Sequence, residues 1–274
     1  MTIAPEAFEY VRDLLRRESA IVLDTGKEYL VESRLTPLAR QFGQCDVNAF
    51  VSGLKARFDP VVARQVVEAL TTNETSWFRD GDPFTALRTT VLPDLVQRRP
   101  GRHLRIWSAA CSSGQEPYSI AMTALDTPAV AGWHVEVLGT DLSEEMVARA
   151  CSGTYSQREV DRGLPAAVLA KHFVREGAGW RVAPAVAAGV AFRQLNLIRP
   201  FPPLGRFDVV FLRNVLIYFD LDTRSDVLRR VRQVVAGDGY LFLGAAEMTM
   251  GVDDAWERAA TGRSSLYRMA GEWR

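Results

Sequence analysis

Cysteine is scarce in this chain of 274 residues: Cys45, Cys111 and Cys151 are far apart and odd in number. That excludes a disulfide framework and the short spacings of a zinc site or a redox couple, and it fits a reducing compartment. Histidine is equally sparse. His103, His134 and His172 are scattered without metal-ligand spacing, so they are expected at the surface, and no metal is expected. Neither charge is in surplus, with 33 Lys plus Arg against 33 Asp plus Glu. The bulk attraction that nucleic acid or anionic lipid exploits is therefore missing, and no nucleic-acid partner is expected. No apolar run approaches the roughly 20 residues needed to span a bilayer. The opening stretch, MTIAPEAFEYVRDLLRRE, is acidic and amphipathic rather than a basic head followed by an apolar run. A soluble cytoplasmic protein without membrane insertion is the expectation. Also lacking are a Gly-x-Ser-x-Gly elbow, a Walker loop and a complete Gly-x-Gly-x-x-Gly fingerprint.

What is present changes texture along the chain. The first seventy or so residues read as helices only. PEAFEYVRDLLRRE sets Phe8, Val11, Leu14 and Leu15 at helical spacing, and KEYLVESRLTPLARQFG sets Leu30, Leu35, Leu38 and Phe42 on one side before Gly43. Asp46 caps a third helix, and Pro60 opens a fourth. After Pro100-Gly101, apolar β-rich runs alternate with helical patterns: HLRIWSAA, then a helix from about Tyr118; VEVLGTD, then a helix from Ser143; FDVVFLRN, then a helix near Asp222 to Val235; then GYLFLGAA. Nearly continuous apolar strands separated by helices predict a parallel sheet covered on both faces. From about Thr154 to Ala191 the rhythm breaks into a helix and a short Gly-rich hairpin.

The chemistry-bearing residues gather at predicted strand ends. Ala109 to Gly114 are small enough for backbone to approach a ligand closely, and Glu116 follows in the turn entering the next helix. Open parallel sheets bind ligands outside the carboxyl ends of their strands. A tight turn with no ligand explains this stretch equally well. Asp141 ends the next strand, where an acid either accepts hydrogen bonds from ribose hydroxyls or caps the helix beginning LSEEM. RQLNL places Asn196 and Leu197 where an adenine ring could be bonded on one edge and packed on one face. FLRNVLIYF brings Arg213, Asn214 and Tyr218 to a further tip. A lone Asn there commonly just satisfies a turn. Cys111 sits in the first turn with no histidine nearby and is not read as a nucleophile. Between the helical front and the sheet, TTNETSWFRD crowds hydrogen-bonding groups beside two aromatic rings.

Taken in order, LTTNETSWFRD, IWSAACSSGQEPYSIAM, LGTDLS, FRQLNL, FDVVFLRNVLIYFD and GYLFLGAAE closely resemble the chemotaxis receptor methyltransferases of the CheR type. The resemblance runs through nearly the whole chain. It implies an N-terminal all-helical domain over residues 1–73, a linker over 74–84 that folds across the cofactor, and a Rossmann-like α/β methyltransferase domain over 85–274. A small antiparallel β-subdomain would be inserted at about 154–191. It implies S-adenosylmethionine as cofactor and S-adenosylhomocysteine as product. Asn73, Thr75, Arg79, Glu116, Asp141, Asn196, Leu197, Arg213 and Asn214 would line the pocket, with Trp77 and Phe78 supplying ring surface. A ring near a sulfonium cation is worth roughly 0.5–2 kcal/mol, although simple packing would also explain either ring.

The implied reaction esterifies glutamate side chains on the cytoplasmic helical bundle of chemoreceptors, in sensory adaptation. A glutamate with a pKa of about 4.3 is already ionised near neutral pH, so no strong base is needed. Alignment and dehydration of the reacting pair can supply on the order of 7–11 kcal/mol. Arg79, Arg213 and Tyr218 are the candidates to steer the carboxylate. Receptor docking would use the basic face of an early helix, here Lys27, Arg34 and Arg40 beside Glu28 and Glu32, a thinner patch than the family pattern. The short turn in FVREGAGWRV is similar to members that bind no receptor C-terminal pentapeptide, so that tether is not expected. Ala245-Ala246 before Glu247 stands where many members carry His-Ser. A monomer is expected. Two other readings stay open: methylation of a receptor-like sensor outside chemotaxis, and a non-catalytic module that binds the cofactor and signals through protein contacts.

Overall fold

The computed structural model describes residues 3–259 and 264–271. The chain divides into two compact units, residues 1–72 with 218–223, and residues 73–217 with 224–274. The expected linker over 74–84 thus belongs to the second unit.

In the first unit, α1 (Pro5–Ser19), α2 (Glu28–Gln41), α3 (Val47–Ala56) and α4 (Pro60–Leu70) form the four expected helices. Asp46 caps α3 by accepting the Ala49 N–H, and Asp59 accepts the Val61 N–H ahead of Pro60. Phe8, Val11, Leu14 and Leu15 are all buried, as their spacing predicts. The buried face of α2 is Val31, Leu35 and Ala39 instead of Leu30, Leu35, Leu38 and Phe42. Both rows are apolar at helical spacing, and packing against α3 and α4 selects the row one position along.

The second unit opens with α5 (Asp82–Ala86), a π-helical turn over Leu87–Val91 and α6 (Leu92–Arg98), none of which the sequence pattern announces. Then follow β1 (His103–Ala109), α7 (Gln115–Leu125), β2 (His134–Asp141) and α8 (Glu144–Ser152). The inserted region holds β3 (Thr154–Ser156), α9 (Gln157–Val160), α10 (Ala166–His172), β4 (Phe173–Glu176), β5 (Gly179–Val182) and α11 (Pro184–Ala187). The chain returns through β6 (Val190–Gln194), β7 (Phe207–Leu212), α12 (Leu221–Val234), whose first residues count with the first unit, and β8 (Val235–Leu243). It finishes with β9 (Trp256–Arg258) and β10 (Leu266–Met269).

The main sheet has seven strands in the order β6-β2-β1-β7-β8-β10-β9. The first five are parallel, and β10 and β9 run antiparallel at one edge. From β1 the chain moves outward to β2 and β6, then crosses back to β7 and β8. The order therefore reverses between β1 and β7, and ligands of such sheets bind at the carboxyl ends beside that reversal. Leu104, Ile106, Val209, Phe211 and Phe242 have no exposed surface, and Phe211 stacks on Phe242 with ring centroids 4.4 Å apart. The insertion is a three-stranded sheet, β3-β5-β4, rather than a hairpin alone. No described helix is long and apolar enough to cross a membrane.

Candidate functional site

The tip of β1 turns sharply. Ala110 and Ser112 take φ values of +61° and +50°, and Gly114 takes +95°. The Cys111 N–H donates to the Thr140 carbonyl at 2.9 Å, which ties the turn to β2. A Cβ at Gly114 would lie 2.8 Å from the Ala150 Cβ, so only glycine lets α8 approach this closely. Asp141 is 7% exposed; its Oδ2 accepts the Ser112 N–H at 2.7 Å and its Oδ1 the Ser143 N–H at 2.9 Å. The cap of α8 is the Ser143 hydroxyl, which accepts the Met146 N–H. Asp141 is thus a buried anion joining the turns after β1 and β2. Burial pushes the Cys111 thiol up, helped by the charges of Asp141 and Glu116, which leaves it a poor nucleophile.

Arg213 follows β7, and its side chain is 1% exposed. Its guanidinium donates to Glu116 Oε2 at 2.7 Å, to Asp80 Oδ2 at 2.6 Å and to the Arg79 carbonyl at 3.0 Å. Glu116 Oε1 accepts the Ser108 hydroxyl at 2.8 Å. One buried cation therefore links β1, α7 and the Asn73–Asp80 strap. The strap has further fastenings, among them the Phe78 N–H, which donates to the Ser119 hydroxyl at 3.1 Å. Ser112 Oγ donates to the Asn73 carbonyl at 2.8 Å, and the Trp77 N–H donates to the Arg162 carbonyl at 3.2 Å. Arg79 bends back to the Glu74 carbonyl at 2.9 Å. Trp77 is 1% exposed, with its ring edge-on to Tyr155 at 4.8 Å and to Phe173 at 5.1 Å. Its ring surface is spent on packing, so the expectation that it faces a sulfonium fails. Phe78 stays half-buried, edge-on to Phe84.

Asn214 adopts φ +58°, in the left-handed region. Glu247 holds it there, a residue whose role the sequence does not disclose. Its carboxylate, 6% exposed, accepts N–H bonds from Asn214 at 2.8 Å, Val215 at 2.9 Å, Leu216 at 2.7 Å and Gly244 at 2.7 Å. A Cβ at Gly244 would lie 2.7 Å from Glu247 Oε2 and 2.9 Å from the Asn214 backbone nitrogen, so the space is closed to any side chain. Asn196 Oδ1 accepts the Ile198 N–H at 3.1 Å, and Leu197 is buried beside it. Thr75 is half-buried in the strap.

The remaining candidates count with the first unit. The Tyr218 carbonyl accepts the Val22 N–H at 2.9 Å. Lys27 and Arg40 are exposed, whereas Arg34 donates to the Leu70 and Thr71 carbonyls, both at 2.7 Å, and closes the end of α4. The histidines differ from their expected surface positions in one case: His172 is 5% exposed, with its ring on the Asp126 carboxylate.

A family model described as the CheR methyltransferase SAM binding domain matches residues 73–264, and one described as the CheR methyltransferase all-alpha domain matches residues 6–71. The chain belongs to the CheR methyltransferase family. It is 40% identical to the chemotaxis protein methyltransferase Cher2 of Pseudomonas putida, over 95% of this chain and 97% of that one. It is 41% identical to chemotaxis protein methyltransferase 1 of Pseudomonas aeruginosa, over 98% and 99%. Identity to the chemotaxis protein methyltransferase of Escherichia coli is 34%, over 90% and 85%. S-adenosylmethionine is the cofactor of this CheR protein. The buried acid at the β2 tip is in keeping with it: Asp141 is an acceptor group at the carboxyl end of a parallel strand beside the reversal of strand order, where such sheets bind ligands.

Proposed function

We propose that this protein methylates glutamate side chains on the cytoplasmic helices of chemoreceptors, giving methyl esters and S-adenosylhomocysteine. The observation that carries the proposal is similarity over essentially full length to chemotaxis methyltransferases, with the acidic strand tip and the fastened strap both present. When bound, the cofactor supplies an electrophilic methyl group on a sulfonium. Asn73, Thr75 and Arg79 of the strap would hold it, together with Glu116, Asp141, Asn196, Leu197, Arg213 and Asn214. Asp141 takes the ribose hydroxyls, and Asn196 with Leu197 takes the adenine.

No residue has to remove a proton, because the accepting carboxylate is already ionised at neutral pH. The task of the chain is to exclude water and align the acceptor. Of the two arginines, Arg79 suits contact with an incoming carboxylate, since it is only half-buried. The Arg213 charge is already shared by Asp80 and Glu116, so we assign it to holding the strap. Tyr218 is the second candidate to touch the acceptor. Lys27 and Arg40 meet the acidic receptor helix; Arg34, engaged at the end of α4, serves docking less. The β4–β5 turn is only Gly177-Ala178, and on that short turn we assign no pentapeptide tether.

Labelled S-adenosylmethionine incubated with receptor-bearing membranes provides the test. Base-labile label on the receptor is the expected outcome. Tight cofactor binding without transfer would favour a non-catalytic module, and transfer only to other sensors would move the substrate outside chemotaxis. Lys27→Glu with Arg40→Glu is expected to lower receptor methylation at least several-fold while cofactor affinity stays unchanged.

A further inference from the structure

The amino-terminal ends of β1 and β2 carry a cluster with no part in the cofactor site. His103 and His134 are register partners in this parallel pair, and Arg105 and Glu136 are the next partners on the same face. Both imidazole Nε2 atoms converge on one oxygen: His103 lies 3.3 Å and His134 3.1 Å from Glu136 Oε1. The two rings are nearly parallel, with centroids 5.1 Å apart. Arg105 Nε bonds the other carboxylate oxygen, Oε2, at 3.2 Å. The arginine is itself anchored, on the Leu204 and Arg206 carbonyls at 3.0 Å and over the Phe207 ring at 4.7 Å. The carboxylate is thereby oriented with Oε1 toward the imidazoles.

We propose that His103, His134 and Glu136 form a binding site for a zinc-class divalent cation. Two nitrogens and one carboxylate oxygen make a donor set that zinc favours, with water completing a tetrahedron. Ligands about 2.0–2.2 Å from a tetrahedral ion lie about 3.3–3.6 Å from one another. The two His–Glu separations are already on that scale, and all three ligand atoms lie within 4.8 Å of each other. The side chains are 43%, 69% and 46% exposed, so the imidazoles have room to close the remaining distance. Backbone pairing in the middle of the sheet fixes where the three side chains start, and Arg105 supplies the outer bond that steadies a ligating carboxylate. Its positive charge also opposes the ion, which sets this site well below a four-ligand structural site in strength. The ion would clip β1 to β2 about 20 Å along the strands from their carboxyl tips, so its effect is on stability and not on the methyl-accepting site.

Cys45 and Cys151 are exposed free thiols and the competing zinc ligands, so the test uses the full chain carrying Cys45→Ser and Cys151→Ser. After chelator treatment, zinc and cobalt are titrated by calorimetry and by cobalt absorption, and melting is followed with and without zinc. One saturable ion per chain, tetrahedral cobalt bands and a zinc-dependent rise in Tm are expected. His103→Ala and His134→Ala should each weaken binding at least tenfold, and Glu136→Gln should weaken it several-fold. Metal-free melting of these surface variants should stay close to the parent. Equal binding by parent and histidine variants, or no saturable binding at all, would overturn the site.

Discussion

The two ends of the parallel sheet treat charge differently. At the carboxyl tips, Asp141, Glu247 and Arg213 are 7%, 6% and 4% exposed, and each is held by backbone N–H groups or by opposite charge. At the amino ends, Asp208 and Asp238 meet Arg98 and Arg99 while keeping 12% and 35% of their side-chain surface in water. A hydrogen bond from Arg99 holds the Asp238 carboxyl below its usual range, against a smaller opposing effect of burial. Buried charges with fixed partners hold a shape that needs no rearrangement when a ligand arrives. Half-wet ion pairs mainly hold strand ends together, at low energy each.

That contrast predicts a ranking. Arg213→Met leaves Glu116 and Asp80 without their buried cation and should cost about 3–5 kcal/mol in denaturant unfolding, with cofactor binding lost. Glu247→Ala orphans several buried N–H groups and should cost about 1–3 kcal/mol or more. It should also weaken cofactor binding by releasing Asn214 from its left-handed conformation, and Glu247→Gln should recover part of both losses. Asp141→Ala should weaken cofactor binding at least tenfold, about 1.4 kcal/mol, by isothermal titration; an unchanged dissociation constant would contradict its assignment to the ribose. The smallest effect belongs to the other end. Because the Asp238 pKa is lowered on folding, its contribution is present above about pH 4 and disappears as pH falls below that value. Asp238→Asn should therefore cost less than about 1 kcal/mol at pH 7, and the difference from wild type should vanish in acid melts. An Asp238 effect as large as that of Arg213 would erase the distinction between the two ends.

Much of this is legible in the sequence, and what is not legible has physical causes. Parallel strands buried on both faces are nearly continuous apolar runs, so β1, β2 and β7 stood out, and the acid ending β2 stood out with them. The strands β3, β9 and β10 span only three or four residues, too short to display a period. The helix after β1 begins at Gln115 rather than near Tyr118, because the turn ends abruptly at Gly114. On α2, two apolar rows compete, and only tertiary packing chooses between them. His103 and His134 are thirty-one residues apart in the chain and become neighbours through strand register alone. Glu247 reaches the Asn214 loop from thirty-three residues away, and no local pattern announces such a bond.

Trp77 has one more consequence. Its ring is wedged among the aromatics of the inserted sheet, and its amide is bonded to the loop after α9. The strap and the insertion are thereby packed as one piece. Trp180, on β5, pairs with Tyr155 of β3 and is only half-buried. In a chain with six tryptophans, a variant that keeps Trp180 alone would report on the packing of the insertion from a side chain outside the proposed cofactor pocket.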